Sequence, residues 1–159
     1  MRPEPKQMID RKALSVWRIS AALNSIYYVL LFGGFWFIQR VFELPRWTLW
    51  IAGAIFLLII LFTVVILPAM QWKRWRFEVH EHEIDLQYGI FIKRRTLVPM
   101  VRVQHVDTRQ GPILKKFHLS TVLISTAATI HEIPALDEEQ ADQVRDYISR
   151  LARVTEDDV

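Results

Sequence analysis

Hydrophobic positions along this chain change their spacing twice. From Ser20 to Ile38 and from Trp47 to Met70 they run almost unbroken, and neither stretch holds an Asp, Glu, Lys or Arg. The first run, at about 1.5 Å rise per helical residue, extends about 28 Å, close to the ~30 Å of a bilayer's hydrocarbon. The pattern predicts transmembrane helices over 20–38 and 47–70, a short extracytoplasmic loop over 39–46, and a flank over 1–19. A cleavable signal peptide fits the first run poorly, because Gly33 and Gly34 lead into Phe35, Trp36 and Phe37 rather than a small-residue cleavage site. From Trp75 the period falls to two, which predicts strands over 76–80, 84–88, 91–98, 102–108, 121–126 and 129–133, with a turn at Gly89. A helix over about 138–153 follows. Asp137 can cap it, Gln140 completes a capping-box pattern, and Ala141, Val144, Ile148 and Leu151 form an apolar stripe. The expected fold class is a membrane α-helical hairpin followed by a small mainly-β domain over 71–159, an antiparallel barrel or sandwich closed by one helix.

Charge orients this arrangement. The N-terminal flank carries Arg2, Lys6, Arg11, Lys12 and Arg18, and Lys73, Arg74 and Arg76 follow the second run, while the loop between runs has only Arg40 and Arg46. Excess Lys and Arg at both ends predicts a multi-pass protein of the cell (inner) membrane with both termini cytoplasmic. Residues 72–159 hold thirteen basic and fourteen acidic side chains, a balance that gives nucleic-acid binding no support. All six tryptophans fall near the ends of the two runs, where an indole satisfies both its ring and its N–H. Asn24, the most polar group inside a span, reads as a packing contact between helices. With no cysteine, disulfides, thiolate metal sites and thiol nucleophiles are excluded.

One stretch is more specific than any periodicity. Arg102-Val103-Gln104-His105-Val106-Asp107, with Pro99 before it, Gln110-Gly111-Pro112 after it and Ser125-Thr126-Ala127 further on, resembles the YdbS-like family of bacterial pleckstrin-homology membrane proteins. The resemblance runs through both spans to the C-terminal helix. It implies a seven-stranded, partly open pleckstrin-homology-like barrel with a capping C-terminal α-helix, and a second membrane protein bearing related domains as partner. It also implies a role connected with envelope stress or antimicrobial resistance. The family-pattern residues Pro99, Gln104, His105, Asp107, Gln110, Gly111 and Pro112 read first as scaffold, with Gln104 and Asp107 bonding backbone. An exposed strand edge for a partner is the alternative. Eukaryotic relatives of the fold hold phosphoinositides on a basic first hairpin, but here that hairpin is His80-Glu81-His82-Glu83, which repels phosphate.

Three functional classes follow. The leading one is a non-enzymatic membrane adaptor that assembles with another membrane protein, or with its own copies. The second is a module responsive to anionic lipid, using Lys93, Arg94, Arg95, Arg102, Arg109, Lys115 and Lys116, which share residues 93–116 with Asp107 as the lone acid. Against it stands a solvated face that pairs with the acidic C-terminal helix. The third, weighed least, is a metal-dependent enzyme using Glu78, His80 and His82; no complete catalytic, cofactor or metal set is present in the sequence, and Ser120, Ser125, His118 and His131 lack the setting of a nucleophile.

Overall fold

A computed structural model describes residues 3–157. The chain divides into two compact units, one made of Met1–Val16 with Gln71–Val159 and the other of Trp17–Met70.

Both long apolar runs are helical. Helices α1 (Ala13–Asn24) and α2 (Ile26–Val41) follow one path broken at Ser25, whose hydroxyl donates to the Ala22 carbonyl at 2.6 Å. Such a bond offers the backbone an alternative to its own ladder and loosens the helix there. After the loop, α3 (Trp47–Leu61) runs through a π-helical turn, Phe62–Ile66, into α4 (Leu67–Arg74). The wide turn has a local cause: Pro68 has no N–H to offer the preceding turn and its ring would strike it, so the ladder slips just before the proline. In the hairpin unit the Phe32 and Phe56 rings meet edge to face at 5.6 Å, and a Cβ on Gly53 would lie 3.7 Å from Phe32. Asn24 is exposed with no hydrogen-bond partner among the described residues, so it does not make the helix-to-helix contact its sequence suggested.

The other unit holds two antiparallel sheets. One has the order β1 (Gln7–Met8), β2 (Arg76–Val79), β3 (Glu83–Tyr88), β4 (Arg94–Pro99), and the second β5 (Val103–Arg109), β6 (Leu119–Thr126), β7 (Ile130–Asp137). A 3-10 turn, Met100–Arg102, joins the sheets, and a short helix α5 (Pro112–Lys116) joins β5 to β6. Phe77, Ile84, Leu86 and Val98 from the first sheet and Leu119, Val122, Ile124, Ile133 and Leu136 from the second are each at most 2% exposed. Helix α6 (Glu138–Asp157) covers this core with Ala141 and Ile148, both fully buried, and Val144 and Leu151 half-buried. Its start is held by Asp137, whose carboxylate accepts from the Glu139 N–H at 3.3 Å.

Three elements differ from the sequence reading. The N-terminal flank is part of the β domain: Gln7 pairs with Phe77 and Met8 with Arg76, Pro5 is fully buried, and Ile9 is 2% exposed. The Asp10 N–H donates to Ala135 O in β7 at 3.2 Å, so this segment touches both sheets. The hairpin is therefore inserted between the first two strands of a single sheet. Second, β4 starts at Arg94 rather than at Phe91. Gly89 adopts φ +115° with the Ile92 carbonyl closed against it, which spends Ile90 to Lys93 on the reversal and leaves Phe91 and Ile92 exposed at its tip. Third, two tryptophans assigned to the lipid interface are fixed inside this unit. Trp75 is 7% exposed and stacks on Tyr88 at 5.8 Å, and the Trp72 indole donates to Asp10 O at 3.1 Å.

Candidate interaction surface

The two sheets do not close into a complete barrel. Strand β4 pairs only with β3 and β5 only with β6, so each presents an unpaired backbone edge among the described residues. The chain turns between these edges at Pro99, which ends β4 as proline commonly ends an edge strand. Beside the turn lies an open cleft of about 530 Å³, lined by Leu97, Pro99, Val101, Arg102, Gln104 and the β6–β7 turn. Leu97 is 42% and Val101 55% exposed, giving the cleft an apolar rim.

The family-pattern residues occupy distinct places around it. On β5 the register slips by one residue between Val103 and His105, so Gln104 is the bulged residue. Gln104 is exposed, with no hydrogen-bond partner among the described residues, and Asp107 faces His105 at 3.4 Å instead of bonding backbone. Neither side chain bonds backbone among the described residues, because the alternating strand turns His105, Asp107 and Arg109 outward together. Gln110 does brace the structure: its amide donates to Leu119 O at 3.0 Å and to the Glu138 carboxylate, tying the end of β5 to the first turn of α6. Gly111 sits at φ −81°, which any residue adopts, and precedes Pro112 in the first turn of α5, where proline's missing N–H costs nothing.

The basic residues are spread over several elements and most are engaged. Arg95 grips the buried Asp85 carboxylate through Nε at 3.0 Å and through Nη2, and donates to Pro3 O at 2.8 Å. Its bond to Asp85 pushes the guanidinium above its usual range. Lys93 pairs with Glu4, and this bond together with the lysine's charge holds the Glu4 carboxyl below its ordinary value. Arg109 reaches Glu132 at 3.3 Å. The expected pairing of this segment with the acidic helix does not occur among the described residues. Two acids of α6, Asp142 and Asp146, are instead answered locally by Arg145 at 2.8 Å each. Arg94, Arg102, Lys115 and Lys116 are exposed and make no ion pair with a described residue.

Of the metal candidates, His80 Nε2 lies 4.0 Å from Glu78 and His82 falls in the turn, and no group of three potential ligands gathers among the described residues. The sequence reading missed Leu97 as a surface group because an apolar residue on a strand reads as core, and it missed Val101 because that residue fell between two expected strands. Pro99 was the available signal that this strand lies at an edge.

Similarity to known proteins bears on the same residues. A family model described as "Bacterial PH domain" matches residues 18–152. The chain is 54% identical, over its whole length and the whole length of the relative, to UPF0699 transmembrane protein YdbS of Bacillus subtilis (strain 168). It is also 23% identical over 100 residues, 60% of this chain and 20% of the relative, to UPF0699 transmembrane protein YdbT of the same organism. No solved structure matches.

Proposed function

Since the chain belongs to the bacterial PH-domain family, we propose that it is a non-enzymatic membrane adaptor: the hairpin anchors the β domain at the inner face of the cell membrane, and the open side of the barrel receives another membrane protein. The carrying observation is the pair of unpaired edges, β4 and β5, flanking a cleft with exposed Leu97 and Val101. An unpaired edge offers a row of N–H and C=O groups to an added strand, and the apolar rim supplies pockets for alternate side chains. A membrane protein with a related domain is the partner proposed, and the resemblance of 20% of YdbT to this chain is compatible with it. Positive charge at both ends of the hairpin supports cytoplasmic termini. The β1–β2 pairing supports the same face for both, since strands in one sheet cannot lie on opposite sides of a bilayer.

Because the chain contains no cysteine, single substitutions give clean crosslinking. His105→Cys and Gln104→Cys on β5 are expected to trap one membrane protein in native membranes, whereas Asp142→Cys on α6 is not. Equal products at all three positions, or none at the β5 positions, would remove the basis for the adaptor reading.

A lipid-responsive module is favoured by a different observation. Phe91 and Ile92 are 76% and 72% exposed at the tip of the β3–β4 turn, next to unpaired Arg94. An apolar tip beside a cation suits the headgroup zone. Phe91→Ser with Ile92→Ser should lower binding to anionic vesicles of residues 3–16 joined directly to 71–157; unchanged binding would retire this alternative.

A further inference from the structure

The hairpin unit contains a second cleft, unrelated to the barrel. It lies between α2 and α3 at the end that carries their connecting loop, with a volume of about 1050 Å³. That equals the upper end of the range usual for small-molecule sites, about 300–1,000 Å³. Its mouth holds Gln39, Arg40, Glu43 and Arg46, and its floor continues past Gly53 to Leu57. From Arg46 to Leu57 helix α3 rises about 16 Å, or half of a ~30 Å hydrocarbon layer. A groove that is polar at the headgroup level and apolar to the midplane has the polarity profile of one lipid in one leaflet.

The polar end is chemically incomplete. Arg40 rests over the Trp36 ring at 5.5 Å, and neither Arg40 nor Arg46 forms an ion pair with a described residue. Gln39 is 5% exposed; its amide nitrogen donates to Leu44 O at 2.6 Å, while its Oε1 accepts from no described residue. A buried acceptor without a donor is rare in folded proteins and calls for one from outside the chain. Two guanidiniums without an ion-pair partner among the described residues call for an anion with paired oxygens, which phosphate offers. Glu43 at the rim leaves the mouth with one net positive charge, suited to a phosphodiester rather than a more highly charged phosphate.

We propose that this cleft binds one anionic glycerophospholipid with a hydroxyl-bearing headgroup. Its phosphodiester sits on Arg40 and Arg46, a headgroup hydroxyl donates to Gln39 Oε1, and one acyl chain lies along Gly53 and Leu57. The inference needs the hairpin to lie in a bilayer and is independent of what the β domain binds.

Native mass spectrometry of the full chain in mild detergent, with added phosphatidylglycerol or phosphatidylcholine of the same acyl chains, tests it. Retention of a single phosphatidylglycerol is expected to exceed that of phosphatidylcholine by about tenfold, since two cations near a headgroup favour an anion to roughly that extent. Arg40→Gln with Arg46→Gln should bring the two lipids to within about twofold. Gly53→Leu should expel both by filling the floor. Ala54→Phe, at an exposed position on the same wall, provides the same block should Gly53→Leu fail to fold. Equal retention of the two lipids by the unaltered chain, or full retention by the charge variant and a folded blocking variant, overturns the proposal. So does a dimer that a blocking variant dissolves while lipid retention persists, which would give the cleft to a second copy.

Discussion

The N-terminal segment gives the sharpest test of the fold. Ile9 follows the two-residue strand β1, is 2% exposed, and contributes its side chain to a unit whose other strands begin more than sixty residues later. Truncating a buried isoleucine to alanine removes its transfer free energy and leaves a cavity, a cost of about 2–5 kcal/mol. Small domains have only about 5–15 kcal/mol in total. In a domain of this size each kcal/mol moves the midpoint by about 4–8 °C, so Ile9→Ala should lower the melting temperature of the β domain by at least about 8 °C. The full chain in detergent can be followed by tryptophan emission, because Trp75 is buried against Tyr88 and reports loss of that packing. Gln7→Ala is the control, since Gln7 is exposed and supplies only backbone to the pairing with Phe77. A fragment starting at Gln71 goes further by removing Pro5, Ile9, Ala13 and Val16, all buried, and should lack a cooperative transition. A midpoint within about 2 °C of the unaltered chain for Ile9→Ala, or a Gln71 fragment that melts as the full chain does, would refute the reasoning. Residues 3–16 would then be an adherent flank and not a structural strand.

Two further outcomes follow from single positions. Gly89→Ala should cost at least about 2 kcal/mol by thermal unfolding, because φ there is +115° and the new Cβ would lie 2.0 Å from Ile92 O, whereas Gly111→Ala, with φ −81° and nothing within 4 Å, should cost less than about 1 kcal/mol. Glu4 has its carboxyl held low by Lys93, so its contribution to stability is present above the ordinary value of 4.5 and disappears as pH falls through the lower folded value. Melting of Glu4→Gln should accordingly fall below that of the unaltered chain at neutral pH and converge with it in acid; a gap that is constant with pH would show that the ion pair contributes nothing.

How much of this was legible in the sequence depends on whether the signal was local. The two apolar runs, the alternation in 76–88, the Asp137 cap and the 141-144-148-151 stripe are properties of neighbouring residues, and each corresponds to an observed element. The strand at Gln7 and Met8 carries no such signal. It is two residues long, sits among Pro3, Glu4, Pro5, Lys6 and Asp10, and exists because Phe77 and Arg76 present an edge to it. The basic run over 93–116 was read as one surface because its residues are near in sequence. Separate strands and turns instead give Lys93, Arg95 and Arg109 separate carboxylates, on Glu4, Asp85 and Glu132, the first of which lies 89 residues away. The hairpin cleft was unreadable for a related reason: Arg40 and Arg46 are ordinary loop cations until the fold places them beside a buried Gln39 with an idle oxygen.

The insertion point of the hairpin constrains what this architecture allows. Had the spans come before an intact β domain, any number of crossings would have served, and loop charge alone would set the orientation. Here β1 lies before the first span and its partner β2 after the second, and Asp10 also bonds to Ala135 in the second sheet. An odd number of crossings would place these strands on opposite sides of the bilayer and leave the backbone groups of β1 and the edge of β2 without each other. The requirement for an even number thus comes from hydrogen bonding within one small sheet and does not depend on the charge bias. On the proposed topology the two agree on a shared face for both ends, and only the charge bias bears on which face that is. Neutralising Arg11, Lys12 and Arg18 could therefore weaken the preference for one face over the other, but it could not separate the two ends without first breaking the domain.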